Sequence, residues 1–164
     1  MSLYLRWGGV ILLLIAALTV NRGYRDYLNR RLAEYRGLLG LIQHAEDMIS
    51  KFLSYGKNLW RDFSDSALEK CGLLPALREG KSLSLAFDEC LDNMALSREA
   101  KENISKKIQG LGSGYKDGEL SNLRELREEI SSELTLESEE AEKNIKVVSA
   151  LLLGGALAVV IMVM

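Results

Sequence analysis

The sequence is poor in the residues that break helices and in those that build catalytic or metal centres. It has one proline, one histidine and two cysteines, and aromatic residues make up only 7% of the chain. With a single histidine, no zinc site of mixed cysteine and histidine ligands is expected. Motifs for a serine or cysteine nucleophile are absent. Alternating apolar and polar runs, which predict strands, are absent too, so the composition favours helices.

Two local patterns invite a chemical interpretation, and neither supports one. The glycine-rich segment 110–118 lacks the G-x-x-x-x-G-K-[ST] pattern and follows no predicted strand, so nucleotide binding is not predicted. The acidic clusters at 128–129 and 137–140 lie on an uninterrupted predicted helix, which spreads them over a solvated face. His44 lies on a charged stretch and is expected to be solvated. We therefore expect no enzymatic activity, no metal, no cofactor and no small-molecule substrate.

Both ends of the sequence carry long apolar runs. Residues 147–164 contain no charge and, at about 1.5 Å per residue, cover roughly 27 Å, close to the thickness of a bilayer's hydrocarbon core. The run 3–20 has Arg6 as its only charge. A signal peptide is the alternative for this first run, but no small-x-small cleavage site follows it and its basic flank opposes translocation. We predict two transmembrane helices that flank a domain at 21–146.

Basic residues set the expected orientation of these helices. One arginine, Arg6, lies near the start of the first run, whereas five follow the run: Arg22, Arg25, Arg30, Arg31 and Arg36. By the positive-inside rule, the middle domain is cytoplasmic and both termini lie across the membrane. Cys71 and Cys90 fall on apolar faces of predicted helices, and we expect two buried thiols. A disulfide would require the opposite orientation.

The middle domain is predicted to be all-α, an antiparallel bundle of about five to six helices. It holds 20 Lys/Arg and 23 Asp/Glu, and this net negative charge argues against nucleic acid as a partner. Apolar residues in its first helix, such as Leu28, Leu32, Tyr35 and Leu39, recur every three or four positions and predict a narrow packing seam. The expected helices run from the first membrane segment to about Gly56, then over 58–71, 75–80, 82–96, 97–111 and from about Asp117 into the second membrane segment.

Charge patterning predicts how the first and last helices align. Residues 22–36 carry a balance of +3 and residues 119–142 a balance of −7. If the two membrane segments lie side by side, Arg25 falls near Glu142, and Arg30 and Arg31 fall near Glu137. We predict that these pairs set the register of the two helices. The alternative, which is compatible with the first, is that the arginines lie on anionic lipid headgroups.

Two further sets of residues are predicted to make contacts. Ala150, Gly154 and Ala158 recur every four residues, a spacing that lets helices approach closely in lipid, although it also occurs in ordinary transmembrane composition. The loops at the end of the bundle away from the membrane form the predicted surface for a cytoplasmic partner. These loops contain Gly56, Lys57, Gly72, Pro75, Gly80, Gly112, Gly114 and Asp117.

Three stretches resemble a known family. They are RLAEYRGLLGLIQHAEDMISKFLSYG at 31–56, the Leu-Gly turn at 111–112 followed by LSNLRELREEI, and EAEKNIKVVSALLLGGALAVVIMV at 140–163. In their order and spacing they are similar to stage III sporulation protein AB of endospore-forming bacteria. The turn departs from the family pattern, which commonly continues with Asp and Gln where this chain has GSGYKDGE. Contacts made by that loop are therefore the least secure inference from the resemblance.

The resemblance implies a role in the apparatus that links mother cell and forespore. The helical domain of the family is similar to the cytoplasmic domain of the type II secretion inner-membrane platform protein. The chain would then be a non-enzymatic scaffold in the mother-cell membrane around the forespore, with a cytoplasmic ATPase and other channel proteins as partners. The alternative from the sequence is a membrane-bound regulator or sensor whose helical domain lies between two anchors.

Overall fold

All of the described secondary structure is helical. A computed structural model describes residues 3–52, 59–111 and 116–163, and the side chains of 8–51, 59–111 and 118–162. Within these ranges no strand occurs, which confirms the predicted all-α class. A 3-10 turn at Leu91–Asn93 follows the fourth helix. The helices are α1 (Leu3–Phe52), α2 (Ser66–Cys71), α3 (Leu73–Arg78), α4 (Leu83–Cys90), α5 (Arg98–Gln109) and α6 (Lys116–Val163).

The chain divides into two compact units. Arg30–Leu136 form the central unit, and Met1–Asn29 with Glu137–Met164 form the terminal unit. The long helices α1 and α6 contribute residues to both, and each unit is described separately below.

The core of the central unit is built from apolar faces of all six helices. In α1, Leu32 and Leu39 are only half-buried, whereas Leu38 and Leu41 are fully buried, so the buried face is wider than the predicted seam. This width follows because α1 contacts several neighbours. The largest fully buried side chains are Tyr35, Leu38, Leu41, Ile42, Leu68, Leu73, Leu74, Leu77, Phe87, Ile104, Leu126 and Ile130.

Helices α1 and α6 run antiparallel in the central unit, as predicted. The Glu46 carboxylate accepts a hydrogen bond from the Arg127 guanidinium at 2.7 Å. Earlier on α1, Leu39 lines a cleft together with Thr135, which lies later on α6. Residues that come earlier on α1 therefore lie beside residues that come later on α6.

Helix α2 begins later than the sequence predicts. The predicted start of this helix, at residue 58, lies outside the described residues, and the chain from Trp60 to Asp65 is not α-helical. Asp65 is the N-cap instead, because its Oδ1 accepts the backbone N–H groups of Ala67 and Leu68, both at 2.9 Å. Trp60 is buried from this non-helical segment. Its apolar side chain produced a helical pattern in the sequence that the backbone does not follow.

Turn chemistry was predicted more accurately around α3. Gly72 takes the left-handed conformation with φ of 94°, and its N–H donates to the Glu69 carbonyl, as expected for a residue that ends a helix. Pro75 lies in the first turn of α3, and the chain leaves that helix through Gly80, also at positive φ.

Helix α4 is shorter than the predicted helix over 82–96. Ser82 and Ser97 are N-caps, and their hydroxyls accept the N–H groups of Leu85 and Ala100 respectively. The α-helix nevertheless ends at Cys90, and Met94 is extended. The reason is a long-range hydrogen bond that holds this segment.

That hydrogen bond is made by Glu34, a carboxylate that is only 1% exposed. Its Oε2 accepts the backbone N–H of Ala95 at 2.6 Å, and its Oε1 accepts from the Arg30 Nε at 3.1 Å. Arg30 also donates to the carbonyl oxygen of Asn93. A buried carboxylate is tolerated only when it is hydrogen-bonded, so Glu34 fixes the path of the chain between α4 and α5.

Gly37 allows α1 to lie against the start of α2. A Cβ at this position would stand 2.7 Å from Asp65 Oδ1 and 2.9 Å from Leu68 Cγ. Gly40, one turn later, is less restricted, because its Cβ would meet the Phe63 ring at 3.5 Å. Only a glycine at 37 permits the observed approach of the capping residue.

The terminal unit packs α1 and α6 through two shielded faces. On α1 the shielded positions recur every three or four residues. On α6, Ala141 and Ala156 are buried. This periodicity is typical of two long helices lying side by side. The half-buried positions that complete the two faces are Val10, Leu13, Ala17, Asn21 and Tyr24 on α1, and Ile145, Val148, Ser149, Leu152 and Val160 on α6.

The predicted small-residue stripe does not lie on the face of α6 that packs against α1. Ala150, Gly154 and Ala158 are exposed, and a Cβ on Gly154 would meet nothing within 4 Å, so close approach of a helix at these residues stays a prediction. The small residues of α6 that are buried in this unit are Ala141 and Ala156. A four-residue repeat marks one face of a helix, but several such repeats coexist in this segment, and spacing alone does not select among them.

One described helix is long and apolar enough to cross a membrane, whereas the sequence predicted two. This candidate span lies within Gly118–Met162, and only 6% of its most apolar window is buried, unlike the core helix of a soluble protein. The predicted first span at 3–20 lies partly outside the described side chains and stays a prediction. The side chains of 1–7 lie outside the described residues.

We expect Gly37→Ala to lower the free energy of unfolding by about 1–3 kcal/mol, the usual cost of overpacking. The added methyl group would displace the Asp65 cap. Gly40→Ala is the matched control, since its new contact is ordinary and alanine improves helix propensity by about 1 kcal/mol. Thermal unfolding of the full chain in detergent, followed by circular dichroism, measures both. An unchanged melting temperature for Gly37→Ala would contradict the close packing.

Glu34→Ala should be more disruptive than loss of a surface carboxylate. It leaves the Ala95 N–H unsatisfied, which costs about 1–3 kcal/mol. Glu34→Gln should lose less, because its amide oxygen still accepts that N–H. Glu102→Ala is the control, since its pair with Arg98 is exposed and worth about 0–1 kcal/mol. Denaturant unfolding of the full chain in detergent gives these values, and equal losses for Glu34→Ala and Glu102→Ala would contradict the role assigned to Glu34.

Candidate functional site

An apolar groove opens in the central unit where four helix ends meet. It has a volume of about 420 Å³. The end of α1 supplies Ala45 and Ile49, and the start of α4 supplies Leu83. The remaining lining residues come from the 59–60 and 80–84 segments, the end of α5 and the start of α6. They are Leu59, Trp60, Gly80, Lys81, Ser82, Ser84, Ile108, Leu111, Glu119 and Leu123.

Charged groups stand at one side of this groove. Lys81 pairs with Glu89 at 2.6 Å and with Glu79 at 3.7 Å. The hydrogen bond to Glu89 raises the pKa of Lys81 above its usual value, so this residue stays cationic. Glu119 is a largely buried acid on α6. The groove thus combines an apolar floor with a small number of fixed polar groups, as ligand and peptide sites commonly do.

The groove coincides only partly with the predicted partner loops. Gly80 lines it, whereas Gly72 and Pro75 do not. Gly56, Lys57, Gly112 and Gly114 lie outside the described residues, as does the side chain of Asp117. Ile49, Ile108 and Leu123 recur with helical apolar spacing in the sequence, and this spacing does not distinguish residues that line the groove from residues of the core. Their position near helix ends is the feature that could have indicated a groove.

In the terminal unit, α1 and α6 are joined by polar contacts that differ from the predicted Arg25–Glu142 pair. Arg25 donates a hydrogen bond to Ser149 Oγ at 3.2 Å, and the Ser149 hydroxyl donates to Asn21 Oδ1 at 3.0 Å. Glu142 instead pairs with Lys146 on its own helix at 2.7 Å, which lowers the pKa of Glu142. The predicted Arg25–Glu142 pair is therefore replaced by a polar contact one to two turns further along α6.

Further ion pairs join helices of the central unit. In the central unit, Glu46 pairs with Arg127, and Lys107 pairs with Glu129 at 2.7 Å. Neither pair was anticipated. The pairing of Arg30 and Arg31 with Glu137 remains a prediction. Among the remaining arginines of the predicted basic band, Arg22 and Arg36 are exposed.

His44 is not the solvated residue that the sequence predicted. It is half-buried, its Nε2 lies 3.0 Å from the Leu59 carbonyl oxygen, and its ring centroid lies 5.4 Å from that of Phe63. These contacts tie α1 to the segment before α2. The misprediction arose because the segment at 59–63 folds back across α1, which sequence spacing does not reveal.

The two cysteines are buried and unbonded, as predicted. Burial raises the pKa of both thiols above the usual value, which keeps them protonated at neutral pH. Within the described side chains, no group of three or more His, Cys, Asp or Glu residues is arranged to hold a metal ion.

Comparison with known families identifies the chain. The family model of stage III sporulation protein AB matches residues 6–164. The chain therefore belongs to this family, which assigns it a role in stage III of sporulation. No curated protein and no solved structure matches it significantly.

Proposed function

We propose that this member of the stage III sporulation protein AB family is a non-enzymatic, membrane-anchored scaffold of the channel between mother cell and forespore. Its central unit lies in the cytoplasm and docks a cytoplasmic ATPase, and its terminal unit lies in the membrane beside other channel proteins. The observation that carries the proposal is α6, which contributes both to the apolar candidate span and to the packed core of the central unit.

The membrane part of the proposal includes α1. In the terminal unit it lies beside the candidate span of α6, and the Asn21–Ser149 hydrogen bond joins the two helices where the apolar run of α1 ends and that of α6 begins. Because the exposed side chains around both runs are apolar, such as Ile11, Leu12 and Leu151, the pair suits a lipid environment. We assign both helices to the membrane.

The docking part of the proposal rests on the groove of the central unit. The groove residues Glu119 and Leu123 lie at the start of α6, and the apolar span lies at the end of the same helix. The groove is therefore formed by the part of the chain with mixed charge. Its apolar lining suits an inserted apolar side chain or helix of the ATPase, with Lys81 and Glu119 fixing orientation.

Cysteine labelling in cells tests the membrane arrangement. The native thiols are buried and protonated, so a cysteine introduced at exposed Ser121 should be the main reactive site of the central unit. An impermeant maleimide should label Ser121→Cys only after cell lysis, and Ser2→Cys in intact cells. Labelling of Ser121→Cys from outside would contradict the scaffold and favour a regulator or sensor with an external domain. Protection of Ser2→Cys until lysis would contradict the first span.

Filling the groove should block docking without unfolding the protein. Ser84 lines the groove, whereas the adjacent Leu85 is exposed and does not, so Ser84→Trp and Leu85→Trp form a matched pair. We expect Ser84→Trp to lower the co-purified ATPase at least tenfold and to reduce heat-resistant spores in a deletion strain. Leu85→Trp should behave as wild type in both assays. Normal ATPase recovery with Ser84→Trp would place docking elsewhere, and normal spores from the deletion strain itself would contradict the proposed function.

A further inference from the structure

A second cleft lies on α1 in the terminal unit, beside the face that packs against α6. It has a volume of about 500 Å³. Ile15 and Leu18 line one end and are more than half exposed. Arg22 and Arg25 line the other end, with Thr19 and Asn21 between them. The cleft therefore changes from apolar to strongly basic within a few turns of one helix.

No described side chain forms an ion pair with the basic end of the cleft. Arg22 has no ion-pair partner among the described side chains, although Asp26 lies one turn later on the same helix. The Arg25 guanidinium contacts the neutral Ser149 hydroxyl, which in turn donates to Asn21. This contact orients Arg25 at the cleft and leaves its positive charge uncompensated. Arg22 and Arg25 therefore both retain guanidinium N–H groups that can donate to a ligand.

From this juxtaposition we propose that the cleft binds an anionic phospholipid, with its phosphate held by Arg22 and Arg25 and an acyl chain lying on Ile15 and Leu18. Guanidinium groups bind phosphate oxygens with geometric specificity, and the exposed aliphatic side chains next to them match a hydrocarbon tail. A free anion would use only the basic end of the cleft. The ligand that satisfies both ends carries a negative headgroup and a fatty chain.

The site rests on the membrane embedding proposed above for α1 and α6. Because the apolar run of α1 ends at Val20 and the arginines follow within two turns, the guanidinium groups would stand at headgroup level. The bound lipid would mark the cytoplasmic leaflet side of the terminal unit. It would be retained as an individual ligand, beyond the general attraction of basic residues to anionic membranes.

Lipid titration of the full chain in neutral detergent tests the proposal. Native mass spectrometry should detect one retained phosphatidylglycerol and weaker retention of phosphatidylcholine. Each arginine near a headgroup contributes about fivefold to affinity, so Arg22→Gln/Arg25→Gln should weaken phosphatidylglycerol binding about thirtyfold. The matched control is Arg36→Gln/Arg98→Gln, which removes the same charge from exposed positions of the central unit and should bind normally.

Three results would overturn the site. They are unchanged lipid retention in Arg22→Gln/Arg25→Gln, an equal loss in the control variant, and displacement of the lipid by inorganic phosphate at matching concentration, which would indicate a site for free anions. Carbonate extraction of membranes and spore counts, measured in parallel, test the proposed function. Normal membrane insertion and normal spores with no lipid retention would remove the lipid site alone, whereas extraction of the chain by carbonate would remove the membrane scaffold on which the site rests.

Discussion

The fold of the central unit depends on how one buried carboxylate is satisfied. Glu34 lies on the core face of α1, where an unpaired charge would be too costly to keep, and its two oxygens accept from Ala95 and Arg30. The backbone near Ala95 must therefore leave the helical path and present its N–H to α1. That requirement ends α4 early, brings Met94 into the core and places Ser97 where it can begin α5. The hydrogen bonds that the Glu34 carboxylate needs thus determine where the apolar side chains of this segment pack.

Elements defined by neighbouring residues were predictable from the sequence, and elements defined by distant ones were not. Ser82, Ser97 and Gly72 cap helices through groups within four positions, and the helix limits predicted at 71, 82 and 97 lie at or next to these residues. The segments at 60–65 and 91–96 also carried helical apolar spacing, yet they are held outside α-helices by Asp65 and Glu34 respectively. Glu34 could have been suspected as an acid among apolar positions, but its partner, 61 residues away, has no signature in the sequence.

The proposed functional surfaces, too, were predictable from the sequence only where neighbouring residues define them. The basic band was evident from composition, because charge of one sign accumulates next to an apolar run. The structure adds that two of its arginines line a single cleft and that Ser149 orients one of them. For the groove of the central unit, the sequence predicted only neighbouring loops. Its walls were not predicted, because they are made by apolar residues from helix ends whose spacing is the same as that of core residues. Convergence of separate helices on one place is a tertiary property, and periodicity within each helix does not determine it.

The contact between Asn21, Ser149 and Arg25 has a mechanical consequence. Hydrogen bonds between helices in lipid contribute only about 0.6 kcal/mol each, so two of them add little to stability. They are, however, specific to one axial position. Sliding α1 along α6 by a single turn, about 5.4 Å, would break both hydrogen bonds and leave their polar groups unpaired. These contacts therefore oppose an axial displacement of one helix along the other within the terminal unit.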